Sequence, residues 1–170
     1  NGTAALGFGG DTPPGSMSAV TAKYDGTSWT TVPNMGTARR SLAAAGSQTA
    51  AVTFGGDANP PVTNATEEFN SSTNTVTAAA WSSGGALNTG RYFLGGTGSQ
   101  TEGIVFGGYD GGSPTGKTEE YNGSSWTEVG DLGTARYTIG AAGTQTATLA
   151  FGGGPGTKNE SEEFNGSSWS

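Results

Sequence analysis

GIVFGG at residues 103–108, followed by KTEEYNGSSWTEV at 117–129, decides the fold. Short apolar runs closed by glycine read as strands, because glycine interrupts helices and supplies the backbone freedom of turns. Gly103-Ile104-Val105-Phe106 before Gly107-Gly108 is such a run, and a loop from Tyr109 to Gly116 follows it. Lys117-Thr118-Glu119-Glu120-Tyr121 and Ser125-Trp126-Thr127-Glu128-Val129 then flank Asn122-Gly123. Asn-Gly is the strongest short hairpin signal, since both central residues of a type I′ turn take positive φ. Upstream, Arg91-Tyr92-Phe93-Leu94-Gly95-Gly96 leads through Ser99-Gln100-Thr101 into the apolar run. The unit is four antiparallel strands: A after the Arg, B ending at Gly-Gly, C ending at the aromatic, and D carrying the Trp.

Outward from this stretch the same order recurs. Phe-Gly-Gly stands at Phe8, Phe54, Phe106 and Phe151, at intervals of 46, 52 and 45 residues. Strand C ends at Tyr24, Phe69, Tyr121 and Phe164, the Trp series is Trp29, Trp81, Trp126 and Trp169, and Arg39, Arg91 and Arg136 open strand A. Self-similarity at this period marks a repeat architecture. Four strands per unit imply propeller blades packed face to face around an axis, a better fit than a β-solenoid, whose coils need fewer residues. No window has the i, i+3, i+4, i+7 spacing of an amphipathic helix. The expectation is one all-β propeller segment over 1–170, with repeats at about 1–38 (strand A missing), 39–90, 91–135 and 136–170 (strand D truncated).

Small residues such as Ala43-Ala44-Ala45-Gly46 and Gly140-Ala141-Ala142-Gly143 suit a strand A crowded near the axis. Phe54, Phe106, Phe151 and the Trp series are expected to fill the space between blades. Burying one such ring stabilises by roughly 1.5–3 kcal/mol, so an isolated blade is expected to be unstable. Three or four blades would leave apolar sides open. The expectation is therefore either more sequence beyond this stretch, which the non-Met start favours, or association of chains.

Composition narrows the function. Leu, Ile, Val and Phe make up 22 of 170 residues and Gly plus Pro 39, a balance that would read as disorder without the repeat. The net charge of −7 with seven Lys plus Arg leaves no cationic footprint for nucleic acid or anionic lipid. No apolar run is long enough to span a membrane, so no membrane insertion is expected. The chain has neither Cys nor His, which removes disulfides, thiolate ligands and the commonest general base. No catalytic residue, metal or cofactor is expected, and the protein reads as a non-enzyme.

In order, Arg, a small-residue strand, Phe-Gly-Gly, Glu-x-Tyr or Glu-x-Phe, then Trp resembles the kelch repeat over essentially the whole chain. The matching double glycines are Gly9-Gly10, Gly55-Gly56, Gly107-Gly108 and Gly152-Gly153. The resemblance implies a kelch-like β-propeller with strand A innermost and D outermost. One departure is Glu68, Glu120 and Glu163 immediately before the aromatic, where kelch repeats usually carry an apolar residue. The wording TEEYNGSSWTEVGDLGTARY at 118–137 also resembles kelch-like tail and fibre proteins of marine bacteriophages. That likeness implies an extracellular virion appendage, with other virion proteins or further copies of the chain as partners and a host surface glycan or protein as ligand. A purely architectural virion part and a cellular carbohydrate-binding or adhesin module are the alternatives.

The A–B and C–D turns nearly repeat, whereas the B–C loops DTPPGSMSA, DANPPVT, YDGGSPTGK and GPGTK differ. Variable loops on a rigid scaffold are where binding usually resides. The candidate binding residues are accordingly Asp11, Asp57, Tyr109 and Asp110, with Arg40, Tyr92 and Tyr137 from the D–A junctions. An Asp after Gly-Gly reads as a turn former, since calcium wants six or more oxygens. Glu67-Glu68, Glu119-Glu120 and Glu162-Glu163 read as structural, because neighbours on a strand face opposite ways. An ion pair with Arg39, Arg91 or Arg136 of a neighbouring blade is expected, and Glu120→Ala is expected to cost stability. The four Trp residues read as core, and the sequons at Asn64 and Asn122 as turn composition.

Overall fold

The computed structural model describes residues 3–58, 62–71 and 79–170. Parts of the second B–C loop and of the long second C–D connection lie outside these. Every described element is a strand, and every pairing is antiparallel. The first sheet holds β1 (Ala5–Phe8), β4 (Thr21–Tyr24) and β5 (Trp29–Val32), with a small hairpin of β2 (Asp11–Thr12) and β3 (Ser16–Met17) in its B–C loop. The second is β6 (Ala43–Gly46), β7 (Ala50–Phe54), β8 (Thr66–Asn70) and β9 (Ala80–Ser83). The third is β10 (Gly95–Gly98), β11 (Gly103–Phe106), β12 (Thr118–Tyr121) and β13 (Trp126–Val129). The fourth is β14 (Gly140–Thr144), β15 (Ala147–Phe151) and β16 (Ser161–Phe164), extended by a bridge from Phe164 to Trp169.

Register repeats with sequence. Phe54 faces Thr66 and Phe69 faces Trp81 across their ladders, as Phe106 faces Thr118 and Tyr121 faces Trp126. Strand A starts later than its Arg: β10 begins at Gly95, because Phe93 takes a left-handed φ of 55° and turns the chain first. The first strands of consecutive sheets lie side by side, β6 beside β10 and β10 beside β14. The described sheets form no closed ring.

Between sheets lies the core. Phe54, Val105, Tyr121 and Trp126 are buried between the second and third sheets, and Phe106, Ile139 and Phe164 between the third and fourth. At each junction the Phe of one sheet meets the Trp of the next nearly edge-on: Phe8 with Trp81 at 5.4 Å, Phe54 with Trp126 at 5.1 Å, Phe106 with Trp169 at 4.8 Å. Each indole Nε1 donates to a threonine hydroxyl of the preceding sheet, Thr21, Thr66 or Thr118, at 2.9–3.1 Å. The expected aromatic filling fails at the two ends. Trp29 is 55% and Phe151 45% exposed, because no sheet lies against those faces.

The repeated Arg is a staple. Its carbonyl accepts from the second glycine of the preceding repeat: Gly10 to Arg39, Gly56 to Arg91, Gly108 to Arg136. Its side chain enters its own repeat. Arg91 Nη1 donates to the carbonyls of Gly107 (2.8 Å) and Lys117 (2.7 Å), and Nη2 to Glu119 Oε1 (2.6 Å). Arg39 with Glu67 and Arg136 with Glu162 repeat the arrangement. The ion pair therefore lies within a repeat rather than between neighbours, and the first Glu of each doublet makes it. Burial pushes the Arg39 and Arg91 guanidinium pKa values down, against the pull of the facing carboxylate. The close approach also explains the glycines: a Cβ on Gly107, whose φ is +62°, would lie 2.6 Å from the Arg136 carbonyl oxygen.

The second Glu points at the next sheet. Glu68 Oε1 accepts from the Tyr121 hydroxyl at 2.5 Å, and burial followed by this carboxylate pushes the tyrosine pKa up to about 12. At the next junction the aromatic is Phe164, which has no hydroxyl. Glu120 Oε1 is buried there with no hydrogen-bond partner, and desolvation raises its pKa. The expected cost of Glu120→Ala is therefore not that of a lost ion pair, since its Oε1 has no hydrogen-bond partner. A carboxyl with a raised folded pKa loses stability as pH climbs from the unfolded pKa through the folded one. Glu120→Gln is expected to raise the melting temperature at pH 7, with the gain vanishing below the ordinary glutamate range, where both forms are neutral. Melting curves across pH check this, and an equal gain at all pH values would refute it.

Candidate binding site

Three D–A junctions pair with the starts of the B–C loops in the same way. Arg40 bridges Asp57, Tyr92 bridges Tyr109, and Tyr137 bridges Gly154, each through reciprocal backbone hydrogen bonds of 2.8–3.1 Å. The next residues, Ser41, Phe93 and Thr138, have φ values of 53°, 55° and 52°. Left-handed backbone costs a residue with a Cβ roughly 1–2 kcal/mol, and such strain clusters at functional sites. The three are stitched together: Phe93 N donates to Ser41 O at 3.0 Å and Thr138 N to Phe93 O at 2.7 Å. Successive repeats are thereby held in step along this edge.

Four rings gather on that edge. Tyr92 meets Tyr109 at 5.5 Å, Tyr109 meets Tyr137 at 5.9 Å nearly perpendicular, and Phe93 lies 4.8 Å from Tyr92 and 6.3 Å from Tyr137. The tyrosines are half-buried and Phe93 is 40% exposed. Tyr109 is fixed by its own loop, its hydroxyl donating to Gly112 O at 3.0 Å. The ring of Tyr137 lies over Gly154, where a Cβ would approach it to 3.1 Å. Edge-to-face contacts of this kind add about 0.5–1.5 kcal/mol per pair, enough to preorganise a surface that stays partly open.

A polar half adjoins the rings through the Ser41–Phe93 hydrogen bond. Arg40 donates from Nε (3.0 Å) and Nη2 (2.9 Å) to Asp57 Oδ2, and from Nη1 to Asp11 Oδ1 at 3.3 Å. The hydrogen bond to Asp57, then the charge of Asp11, hold the guanidinium pKa above its usual value. Of the expected residues, Tyr92, Tyr109 and Tyr137 thus come together, and Asp11, Arg40 and Asp57 form a second group. Asp110 belongs to neither. Its Oδ1 accepts from Gly112 N and Ser113 N, both at 2.8 Å, which holds its carboxyl below the usual range and makes it a turn former.

Phe93 is the residue the sequence reading missed. Its signal was available, since it stands where the other repeats carry the hydroxyl residues Ser41 and Thr138. Among the described residues no three His, Cys, Asp or Glu side chains gather as a metal site. No family model matches the chain, and no curated protein matches it.

Proposed function

We propose that the chain is a kelch-like propeller segment acting as a non-enzymatic binding module, with a surface glycan as ligand of the Tyr92–Phe93–Tyr109–Tyr137 face. The observation that carries this reading is the four-ring cluster on strained, cross-stitched backbone beside the Arg40–Asp pairs. Aromatic faces give sugar C–H surfaces a flat apolar contact, while neighbouring charged groups serve hydroxyls. Few precisely placed polar groups around an apolar patch are what small-molecule sites use. Side-by-side first strands and Phe–Trp contacts between consecutive sheets support the propeller form. The place in a virion appendage rests on the repeat wording at 118–137 alone.

Phe93→Asn tests the site without confounding it. Asn tolerates left-handed φ better than a bulky residue, so the fold is expected to keep or gain stability while the exposed ring is lost. Glycan-array and titration-calorimetry binding is expected to weaken at least about tenfold, the scale of a hot-spot residue. Absence of glycan binding by the parent chain would reject the reading, as would full binding by both Phe93→Asn and Tyr137→Ala.

A further inference from the structure

Every cation of this chain is already engaged. Arg39, Arg91 and Arg136 are buried against Glu67, Glu119 and Glu162, and Arg40 is shared between Asp11 and Asp57. Lys117 pairs with Glu128 at 3.3 Å, Lys158 pairs with Glu160 at 3.7 Å, and Lys23 donates to the Ser71 hydroxyl at 2.9 Å. These are all seven Lys and Arg residues of a chain whose net charge is −7. An anionic sugar on the aromatic face would have to break one of these contacts to find a counter-charge. Negative charge, by contrast, stands ready beside the rings. Asp110 follows Tyr109 directly, its side chain is exposed, and only Oδ1 is committed to the turn, accepting from Gly112 N and Ser113 N. Among the described residues Oδ2 has no hydrogen-bond donor. The Tyr109 hydroxyl donates to the carbonyl of the same Gly112, so one residue anchors both the phenol and the carboxylate.

We infer that the glycan, on the reading above, carries protonated amines, and that one ammonium group sits on the Tyr92–Phe93–Tyr109–Tyr137 face with Asp110 Oδ2 as its counter-charge. Aromatic faces attract a cation through the ring quadrupole, and the four rings lie within 4.8–6.3 Å of one another from centre to centre. The Asp110 carboxyl is held below its usual range by the N–H groups of Ser113 and Gly112, so it is ionised at neutral pH. The neighbouring polar half has the same sign, because two carboxylates there face one guanidinium. It is also contiguous with the Tyr109 loop. Val62 bridges Asp57, and a Cβ on Gly111 would lie 3.7 Å from Val62 Cγ2. A sugar reaching from the rings toward Asp57 therefore meets acceptors rather than free cations along its path.

Titration calorimetry with oligomers of glucosamine, N-acetylglucosamine and glucuronic acid, all of one length, reads the outcome. At low salt the amine form is expected to bind at least about fivefold more tightly than the acetylated form, the scale of one solvated charge pair. The uronate is expected to bind most weakly, and the preference for the amine to shrink as salt screens it. Asp110→Asn removes the charge and keeps the turn, since Asn122 Oδ1 holds the N–H groups of Ser124 and Ser125 in the same way at 3.0 and 2.9 Å. In that variant the ratio of amine to acetyl affinity is expected to fall to unity. A parent chain that binds the acetylated or uronate form as tightly as the amine overturns the inference and leaves the glycan reading standing. So does a ratio that survives Asp110→Asn, including a loss shared equally by both sugars. Binding of none of the three overturns the inference, and the glycan array with the parent chain then decides whether the wider reading falls with it.

Discussion

Arg91→Ala is expected to lose about 3–5 kcal/mol, the range for breaking a buried ion pair from one side. That is a large share of the roughly 5–15 kcal/mol holding a domain folded. The arginine side chain is 0% and that of Glu119 1% exposed. Truncation removes the donor from the Gly107 and Lys117 carbonyls and leaves the Glu119 carboxylate facing a void. Its second oxygen keeps the Asn88 N–H at 2.8 Å and side-chain amide at 2.9 Å, which orient the charge without neutralising it. Urea unfolding at neutral pH measures the loss. Arg40→Ala is the control: its side chain is 40% exposed, and a solvated pair contributes little to stability. Equal losses for the two would refute the staple.

Much of this architecture was legible because it is periodic. Phe-Gly-Gly, the Glu doublet and Trp fix strands B, C and D, and the observed registers place Phe106 opposite Thr118 and Tyr121 opposite Trp126. The partner of each charge was less legible. Strand alternation separates Glu119 from Glu120, but which face the arginine enters depends on the path of the D–A connection, a tertiary fact. Whether strand C ends in Tyr or Phe decides that Glu68 finds a hydroxyl and leaves Glu120 Oε1 without one. The A–B turns were read only as nearly constant. Gln48, Gln100 and Gln145 in fact donate to carbonyls of the preceding sheet, those of Tyr24, Phe69 and Tyr121. At the candidate site the sequence singled out Tyr109 from a variable B–C loop and Tyr92 and Tyr137 from the D–A junctions. That they share one cluster with Phe93 follows from the left-handed turn after each D–A junction, which no residue type there announces.

Phe54→Ala is expected to cost about 3–5 kcal/mol, as large-to-small changes of buried aromatics do, whereas Phe151→Ala in the monomer is expected to cost far less. Both residues end strand B in the same register, so propensity and local sequence contribute equally. What differs is the neighbour. Phe54 is fully buried, meets Trp126 at 77°, and its ring lies close enough to Gly96 that a Cβ there would come within 2.8 Å. Phe151 has its ring over Gly140 of its own sheet and its other side open. Chemical denaturation at low protein concentration isolates the difference, and equal losses there would show that the rings stabilise their own sheet rather than the junction.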